Sequence, residues 1–213
     1  MDRETRIREF LEVDLYPVTC ERLSVGRSDL AVLQAAIAGG ARIIQLREKD
    51  ISTTELYRLA VAFRKRTAEA GMLLVINDRV DIALAAGADG VHLGQDDLPL
   101  TAARAIAPEL LIGISAHSRG EALRAQEEGA DYVNIGPIFP TRTKEGVTTF
   151  LGPEAIPAIA AGLTIPFTVM GGITGANINE VIVCGARRVA VVTAVTEAAD
   201  MAGAVASLRE QIK

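Results

Sequence analysis

The stretch from Gly136 to Lys144 combines a rigid turn with groups that can bind an anion. An apolar run precedes it, and one glycine and two prolines restrict the direction of its backbone. Two hydroxyls and two cations then follow within four residues, namely Thr141, Arg142, Thr143 and Lys144. Such a turn at the end of a strand suits a phosphate. The four residues alone also fit a solvated basic loop, so other parts of the chain must distinguish a phosphate site from such a loop.

A second polar segment follows the apolar pair Ile43-Ile44 and contains Gln45, Leu46, Arg47, Glu48 and Lys49. In an extended chain the side chains alternate in direction, so Gln45, Arg47 and Lys49 project to one side. That side carries an amide and two cations, which together with Lys144 could hold a highly charged anion. A solvated strand end is the alternative interpretation of this segment.

Two aspartates could supply oxygen ligands for a divalent cation. Asp78 and Asp97 each lie just beyond an apolar run. Mg²⁺ takes one or two carboxylates and keeps several waters. A metal beside three cations describes a diphosphate site, and the cations available are Arg47, Lys49 and Lys144. The segments around both aspartates also fit the start of a helix.

An internal repeat indicates the elements that position these residues. A Gly-Ala pair that leads into an apolar run begins at Gly40, Gly87, Gly129 and Gly185. Each pair follows a helical pattern, as expected where a helix ends at a glycine and the chain turns into a buried strand. Each interval is long enough for two strand-helix units, so four copies predict eight units.

The strands between the repeat copies are apolar throughout, as expected of parallel strands covered by helices. They are predicted at 15–19, 72–76, 110–114 and 165–169. Helices are predicted at 3–11, 29–38, 53–70, 120–128 and 198–212, and Ser52 with Glu55 resembles a capping box. The prediction is an α/β chain that folds as a single (β/α)8 TIM barrel over 1–213, in which 1–14 is an extension with an extra helix. A doubly wound open sheet is the alternative, although no Gly-x-Gly-x-x-Gly follows the first strand.

In a TIM barrel the chemistry sits at the carboxyl ends of the strands. Ser115 and His117 follow the fifth predicted strand, Gly172 the seventh and Thr193 the eighth. Gly172 has no side chain, so its amide can approach a second, smaller phosphate, and phosphate sites after strands seven and eight are frequent in this fold. Two phosphate sites that face each other suggest that two phosphorylated substrates are joined.

Composition limits the partners and the compartment. Twenty-two basic and 27 acidic residues give a net charge of −5, which disfavours nucleic acid as the main partner. The apolar runs are too short to span a membrane, and Met1 to Glu12 lacks the apolar core of a signal peptide. The two cysteines imply no disulfide framework. We expect a cytoplasmic protein without membrane or nucleic-acid partners, and a homo-oligomer is left open.

The motifs resemble those of the thiamine phosphate synthase family in combination. The resemblance runs from about Leu15 to the C-terminus, and its motifs are Gln45 to Lys49, Asn77-Asp78, Gly94 to Asp97, Gly136 to Lys144, and Gly172. It implies a TIM barrel that joins a hydroxymethylpyrimidine diphosphate to a thiazole phosphate and requires Mg²⁺. The products would be thiamine monophosphate and pyrophosphate. The implied reaction is dissociative, since pyrophosphate leaves first and the thiazole nitrogen then attacks a pyrimidine carbocation.

The resemblance also implies a role for individual residues. The pyrimidine diphosphate would be bound by Gln45, Leu46, Arg47, Glu48, Lys49, Asn77, Ser115 and Lys144. Of these, the residues expected to act on the reacting groups are Arg47, Lys49, Ser115 and Lys144. The metal ligands would be Asp78 and Asp97. The thiazole phosphate would be held by Thr141, Arg142, Thr143, Gly172, Val192 and Thr193.

Two other functions remain open from the sequence. A thiazole tautomerase of the same fold would use a histidine near the end of strand five, where His117 lies, but it would not need the diphosphate and metal residues. A non-catalytic phosphate-binding regulator would not need Arg47, Asp97 and Lys144, all of which are present.

Overall fold

The computed structural model describes residues 1–143 and 148–213. Its strands are β1 Leu15–Pro17, β2 Ile43–Leu46, β3 Leu73–Asn77, β4 Gly90–Leu93, β5 Leu111–Ala116, β6 Tyr132–Ile135, β7 Phe167–Met170 and β8 Val189–Val191. Its helices are α1 Arg3–Leu11, α2 Asp29–Ala38, α3 Thr53–Glu69, α4 Val80–Ala85, α5 Leu100–Ile106, α6 Arg119–Glu127, α7 Ala155–Ala160, α8 Ile178–Val183, α9 Thr193–Thr196 and α10 Met201–Ile212. A 3-10 turn covers Glu21–Leu23. None of the helices in the described ranges has the length and apolar character needed to cross a membrane.

The strands form one parallel sheet in the order β1-β8-β7-β6-β5-β4-β3-β2. Two backbone links between β1 and β2 close this sheet. Val18, which directly follows β1, forms a parallel bridge with Gln45, and the Thr19 N–H donates to the Gln45 carbonyl at 2.9 Å. The TIM barrel is therefore confirmed, and the alternative of a doubly wound open sheet was wrong.

The repeated Gly-Ala pairs do mark helix ends. Gly40, Gly87, Gly129 and Gly185 have φ angles of 77°, 64°, 96° and 98°. This left-handed conformation suits a residue without a Cβ. The four glycines follow α2, α4, α6 and α8, and each leads into an even-numbered strand. The repeat thus corresponds to every second strand-helix unit, as predicted.

Most predicted elements have the observed type, and the differences lie at their ends. Helix α10 begins at Met201 and not at residue 198, because Asp200 caps it by accepting from the Gly203 N–H at 2.9 Å. The predicted capping box at the start of α3 is present, since Ser52 and Glu55 accept each other's backbone N–H. β1 is shorter than predicted because Val18 pairs only through the bridge with Gln45.

The N-terminal extension folds as α1 and packs against the interior of the barrel. Phe10 of α1 is fully buried and stacks on Tyr132 of β6, with 4.3 Å between the ring centroids. It belongs to a cluster of inward-facing residues that includes Tyr16, Ile43 and Leu73. Since Leu73 begins β3, we infer that α1 covers the amino-terminal end of the barrel and leaves the opposite end open.

Candidate active site

A cavity of about 470 Å³ lies at the carboxyl ends of the strands. This is the end of a TIM barrel that carries chemistry. Most of the predicted site residues line it, namely Gln45, Arg47, Lys49, Asn77, Asp78, Asp97, Ser115, Thr141, Thr143, Gly172, Val192 and Thr193. The closure of the barrel brings these residues together, although they are spread over about 150 residues of sequence.

Of the predicted residues that the structure describes, three do not line the cavity. Leu46 is fully buried in the core outside the barrel, and Glu48 accepts the Glu21 N–H at 2.8 Å. Both have the opposite parity to Gln45, Arg47 and Lys49, so the alternation that points three side chains inward points these two away. Nη2 of Arg142 donates to both carboxylate oxygens of Glu197, at 2.6 and 2.7 Å. Lys144 lies outside the described residues.

The wall formed by β2, β3 and β4 carries the charged groups. The backbone N–H of Arg47 donates to the Thr19 hydroxyl at 3.0 Å, which fixes the chain just after β2. The Lys49 ammonium lies 3.0 Å from a carboxylate oxygen of Asp78, and its side chain is 52% exposed. A cation that is paired at an exposed position loses little when it moves to another anion. Lys49 can therefore exchange its carboxylate partner for a phosphate.

Asp78 and Asp97 occupy special turns and do not cap helices. Asp78 has a φ of 60°, a conformation that is uncommon outside glycine and recurs at functional sites. The N-caps of α4 and α5 are Arg79 and Pro99, so the capping alternative fails for both aspartates. Asp97 accepts the Gly94 N–H at 2.7 Å. Both carboxylates face the same cavity.

The two carboxylates repel each other, and this repulsion fits a cation site. Burial raises the pKa of Asp97 above its ordinary value, and the adjacent Asp78 carboxylate raises it further. A divalent cation between them would remove this penalty. Within residues 1–143 and 148–213 no group of three or more acidic, His or Cys side chains could hold a metal. A metal held by Asp78 and Asp97 would complete its coordination with water and substrate oxygens, as Mg²⁺ commonly does.

The opposite wall, formed by the ends of β6, β7 and β8, is built on glycines. The Ile138 and Phe139 N–H groups donate to the carbonyls of Met170 and Gly171, both at 2.9 Å. A Cβ on Gly172, which has a φ of 61°, would collide with the Pro140 carbonyl. The loop after β6 can therefore pack this closely on the loop after β7 only because no side chain stands between them. A larger residue at 172 would meet the β6 loop before it met a ligand.

A buried group of three side chains on the cavity floor was not predicted as part of the site. Tyr16, His92 and Tyr132 are all at least 93% buried, and Tyr16 and His92 also line the cavity. Burial lowers the pKa of His92 to about 4, so its ring is neutral at neutral pH. The signal was present in the sequence, because a histidine and two tyrosines stand in short strands that are mostly apolar. Polar groups at such positions must find buried partners.

His117 lines the cavity but is held by the backbone around it. Its Nδ1 donates to the Gly136 carbonyl, because a carbonyl can only accept. Its backbone N–H donates to the Glu121 carboxylate at 2.7 Å. The Nδ1 hydrogen bond ties the end of β5 to the loop after β6, which is a structural role.

Below the charged wall, Asp29 is buried next to Glu48. Burial, together with the nearby carboxylates of Glu48 and Glu21, raises the pKa of Asp29 from 3.8 to about 7. The protein then binds a proton at Asp29 between about pH 4 and 7 that the unfolded chain releases. Its unfolding free energy must therefore fall as the pH rises through this window.

Replacing Asp29 with asparagine should remove this contribution. We expect the unfolding free energy of Asp29→Asn to exceed that of the wild type, and the excess to grow by more than about 1 kcal/mol between pH 4.5 and pH 8. Urea denaturation across this range measures the difference, and Asp50→Asn is the control because Asp50 is exposed. Parallel curves for Asp29→Asn and wild type would contradict the assignment.

Comparison with known proteins supports one family. A family model described as thiamine monophosphate synthase matches residues 15–195. The thiamine-phosphate synthase of Chloroflexus aurantiacus is 46% identical over 203 residues, which cover 95% of this chain and 94% of the relative. That of Methanoculleus marisnigri is also 46% identical, over 93% of this chain and 95% of the relative.

Solved structures agree with this assignment. A thiamine phosphate pyrophosphorylase from Pyrococcus furiosus superposes with a TM-score of 0.87 at 38% identity, over 94% of this chain and 95% of that one. A 3-hexulose-6-phosphate synthase superposes with a TM-score of 0.68 at 22% identity, which shows the shared barrel alone. On the match to the family model and on the identity to these relatives, the chain belongs to the thiamine monophosphate synthase family.

Proposed function

We propose that the cavity condenses a hydroxymethylpyrimidine diphosphate with a hydroxyethylthiazole phosphate to give thiamine monophosphate and pyrophosphate. The observation that supports this is the division of the cavity into two walls. The wall with Arg47, Lys49, Asp78 and Asp97 is suited to a diphosphate with its metal. The wall across the barrel offers backbone amides and hydroxyls around Gly172, which suit a single phosphate.

In this proposal the charged wall stabilises the leaving group. The C–O bond between the pyrimidine methylene and the diphosphate breaks, and pyrophosphate departs with the electron pair. Arg47 and Lys49 neutralise the charge that develops on it, and Lys144 is proposed for the same task. Mg²⁺, held by Asp78 and Asp97, would supply further charge neutralisation when bound. Fixed charges aimed at developing charge are commonly the largest single contribution to catalysis.

The remaining residues align the two atoms that react, which are the methylene carbon of the pyrimidine and the nitrogen of the thiazole. Gln45, Asn77 and Ser115 line the cavity from β2, β3 and β5, so we assign them to the pyrimidine ring. Thr141, Thr143 and Thr193 are assigned with Gly172 to the thiazole phosphate. The thiazole nitrogen then forms the C–N bond with its own lone pair. No base is needed for that step, and alignment of the two rings is the main requirement.

A direct assay tests the proposal. The purified protein is incubated with both phosphorylated substrates, with and without Mg²⁺, and thiamine monophosphate and pyrophosphate are quantified. We expect both products in equal amounts and only with Mg²⁺. Formation of an isomerised thiazole phosphate without pyrophosphate would favour a tautomerase, and binding of phosphates without any product would favour a regulator.

His117 distinguishes the synthase from the tautomerase. Asparagine can keep the hydrogen bond to the Gly136 carbonyl, since its amide can donate where Nδ1 does. We therefore expect His117→Asn to retain condensation within about tenfold of the wild type, a loss of no more than about 1.4 kcal/mol. A proton-transferring histidine would instead be worth about 10²–10⁴-fold. Steady-state kinetics at saturating Mg²⁺ distinguishes the two functions. Loss of all activity in His117→Asn would count against the mechanism above.

A further inference from the structure

A chain of hydrogen bonds crosses the floor of the cavity and ends at Ser115. The Gln45 side-chain amide donates to the Tyr16 hydroxyl at 3.1 Å. The Tyr16 and Tyr132 hydroxyls are 3.1 Å apart. The Tyr132 hydroxyl lies 3.1 Å from Nδ1 of His92, and Nε2 of His92 lies 2.9 Å from the Ser115 hydroxyl oxygen.

The donor at one end sets the direction of the whole chain. Among the described residues the Tyr16 hydroxyl has two hydrogen-bond partners, and since the Gln45 amide donates, Tyr132 is the acceptor left for the Tyr16 hydrogen. Tyr132 already accepts that hydrogen, so it donates to Nδ1 of His92. A neutral imidazole that accepts at Nδ1 carries its hydrogen at Nε2, and this hydrogen can only point at Ser115.

We propose that His92 is a positioning residue whose Nε2–H holds the Ser115 hydroxyl so that the serine hydrogen is directed into the cavity. Ser115 is then a fixed hydrogen-bond donor toward the substrate atom that faces it, which must be an acceptor such as a ring nitrogen or an oxygen. The inference rests on the proposed function, because it assigns Ser115 to the pyrimidine substrate. It extends that function to His92, Tyr16 and Tyr132.

The packing of Tyr132 leaves the chain of hydrogen bonds little freedom to reorganise. The Tyr132 ring is fully buried between Phe10, at a centroid distance of 4.3 Å, and His92, at 5.6 Å. A Cβ on Gly113 of β5 would collide with this ring, including its hydroxyl. Glycine at 113 therefore provides the space in which Tyr132 reaches His92, and Phe10 of α1 fixes the other face of the ring.

Burial also keeps water from competing for these hydroxyls. Tyr16 is 1% exposed and Tyr132 is 0% exposed. Burial raises the pKa of both phenols, so each keeps its hydrogen at any physiological pH. A buried hydroxyl that lost its partner would cost more than the hydrogen bond itself is worth. Each residue of the hydrogen-bond chain therefore stabilises the order of donors and acceptors.

The first test locates the ring hydrogen of His92 in the free protein. The protein has two histidines, so ¹⁵N NMR of histidine-labelled protein gives two sets of ring signals. In His117→Asn only the signals of His92 remain, which identifies them. We expect a protonated Nε2 and a bare Nδ1. In Tyr132→Phe, which keeps the stacked ring but removes the donor to Nδ1, this preference should be lost. A proton on Nδ1 of the wild-type His92 would overturn the proposal, whether or not the enzyme condenses its substrates.

The second test asks whether His92 acts through Ser115. We expect His92→Leu to lower kcat/KM for the pyrimidine diphosphate by about tenfold. His92→Gln, which can still donate from the position of Nε2, should recover most of that loss. In a Ser115→Ala background, His92→Leu should add nothing, because the partner it orients is already absent. If the losses of His92→Leu and Ser115→Ala multiply in the double variant, His92 does not work through Ser115. The same conclusion holds if His92→Gln loses as much kcat/KM as His92→Leu.

Two controls separate positioning from misfolding. Thermal unfolding of each variant identifies a change that only destabilises the barrel. Gly113→Ala should displace Tyr132 and alter the His92 signals, whereas Gly120→Ala should not, because a Cβ at Gly120 meets nothing within 4 Å. If Gly113→Ala fails to fold, Tyr132→Phe still provides the spectroscopic test. Unchanged His92 signals in a folded Gly113→Ala or Tyr132→Phe protein would contradict the proposal.

Discussion

Replacing Asp97 with asparagine should lower kcat/KM for the condensation by about 10²–10³-fold, the range found when one preorganised electrostatic group is removed. The carboxylate faces Asp78 across the proposed metal position and is held by the Gly94 N–H at 2.7 Å. Asparagine keeps the shape and loses the charge, so the affinity for Mg²⁺ should fall with the rate. Kinetics at varied Mg²⁺, together with direct titration of Mn²⁺ as a spectroscopic substitute, measures both effects.

Asp96 offers a matched control, since it is the neighbouring aspartate but is exposed and does not line the cavity. Asp96→Asn should stay within about twofold of the wild type, as is usual for surface substitutions. If Asp97→Asn bound metal and turned over like Asp96→Asn, the assignment of Asp97 as a metal ligand would be wrong. The condensation itself could still be correct, because the product assay tests that independently.

The fold could be predicted because its signals are local and repeated. A glycine that must adopt a positive φ ends a helix, and the four Gly-Ala pairs show this directly. A parallel strand covered by helices is apolar throughout. The ends of elements were less predictable, because they depend on tertiary contacts. Asp200 begins α10 by accepting a backbone N–H that no periodic pattern indicates.

The site could be predicted where alternation along a strand decides the direction of a side chain. Gln45, Arg47 and Lys49 line the cavity because they share a parity, and the same rule points Leu46 and Glu48 away from it. The prediction for those two residues came from the family motif and not from the alternation. Arg142 lies on a loop, where no periodicity constrains its direction, and the structure pairs it with Glu197.

The buried chain from Gln45 to Ser115 was harder to predict, because it depends on contacts across the barrel. Tyr16 and Tyr132 are separated by 116 residues, and their hydroxyls meet only after the sheet closes. The packing of α1 against the barrel also depends on contacts between residues that are far apart in the sequence. Arg3 and Arg6 of α1 reach Asp131 and Asp89, two aspartates that each follow a repeated Gly-Ala pair. The N-terminal extension, which had no role in the family pattern, thereby becomes part of the barrel.

Replacing Asp131 with alanine should destabilise the protein by about 3–5 kcal/mol, the cost of leaving a buried charge without its partner. The Asp131 side chain is fully buried and accepts from Arg3, Arg104 and the Ile112 N–H, at 2.8, 2.6 and 2.7 Å. Alanine leaves the Ile112 amide unpaired and removes the carboxylate partner of the 18% exposed Arg104, which keeps only carbonyl acceptors such as those of Leu110 and Gly129. Glu12→Ala is the control, because its pair with Arg42 spans 3.6 Å between side chains more than half exposed and should be worth less than about 1 kcal/mol. Urea unfolding at constant m-value measures both, and equal losses for the two variants would show that the buried contacts of Asp131 are worth no more than an exposed ion pair.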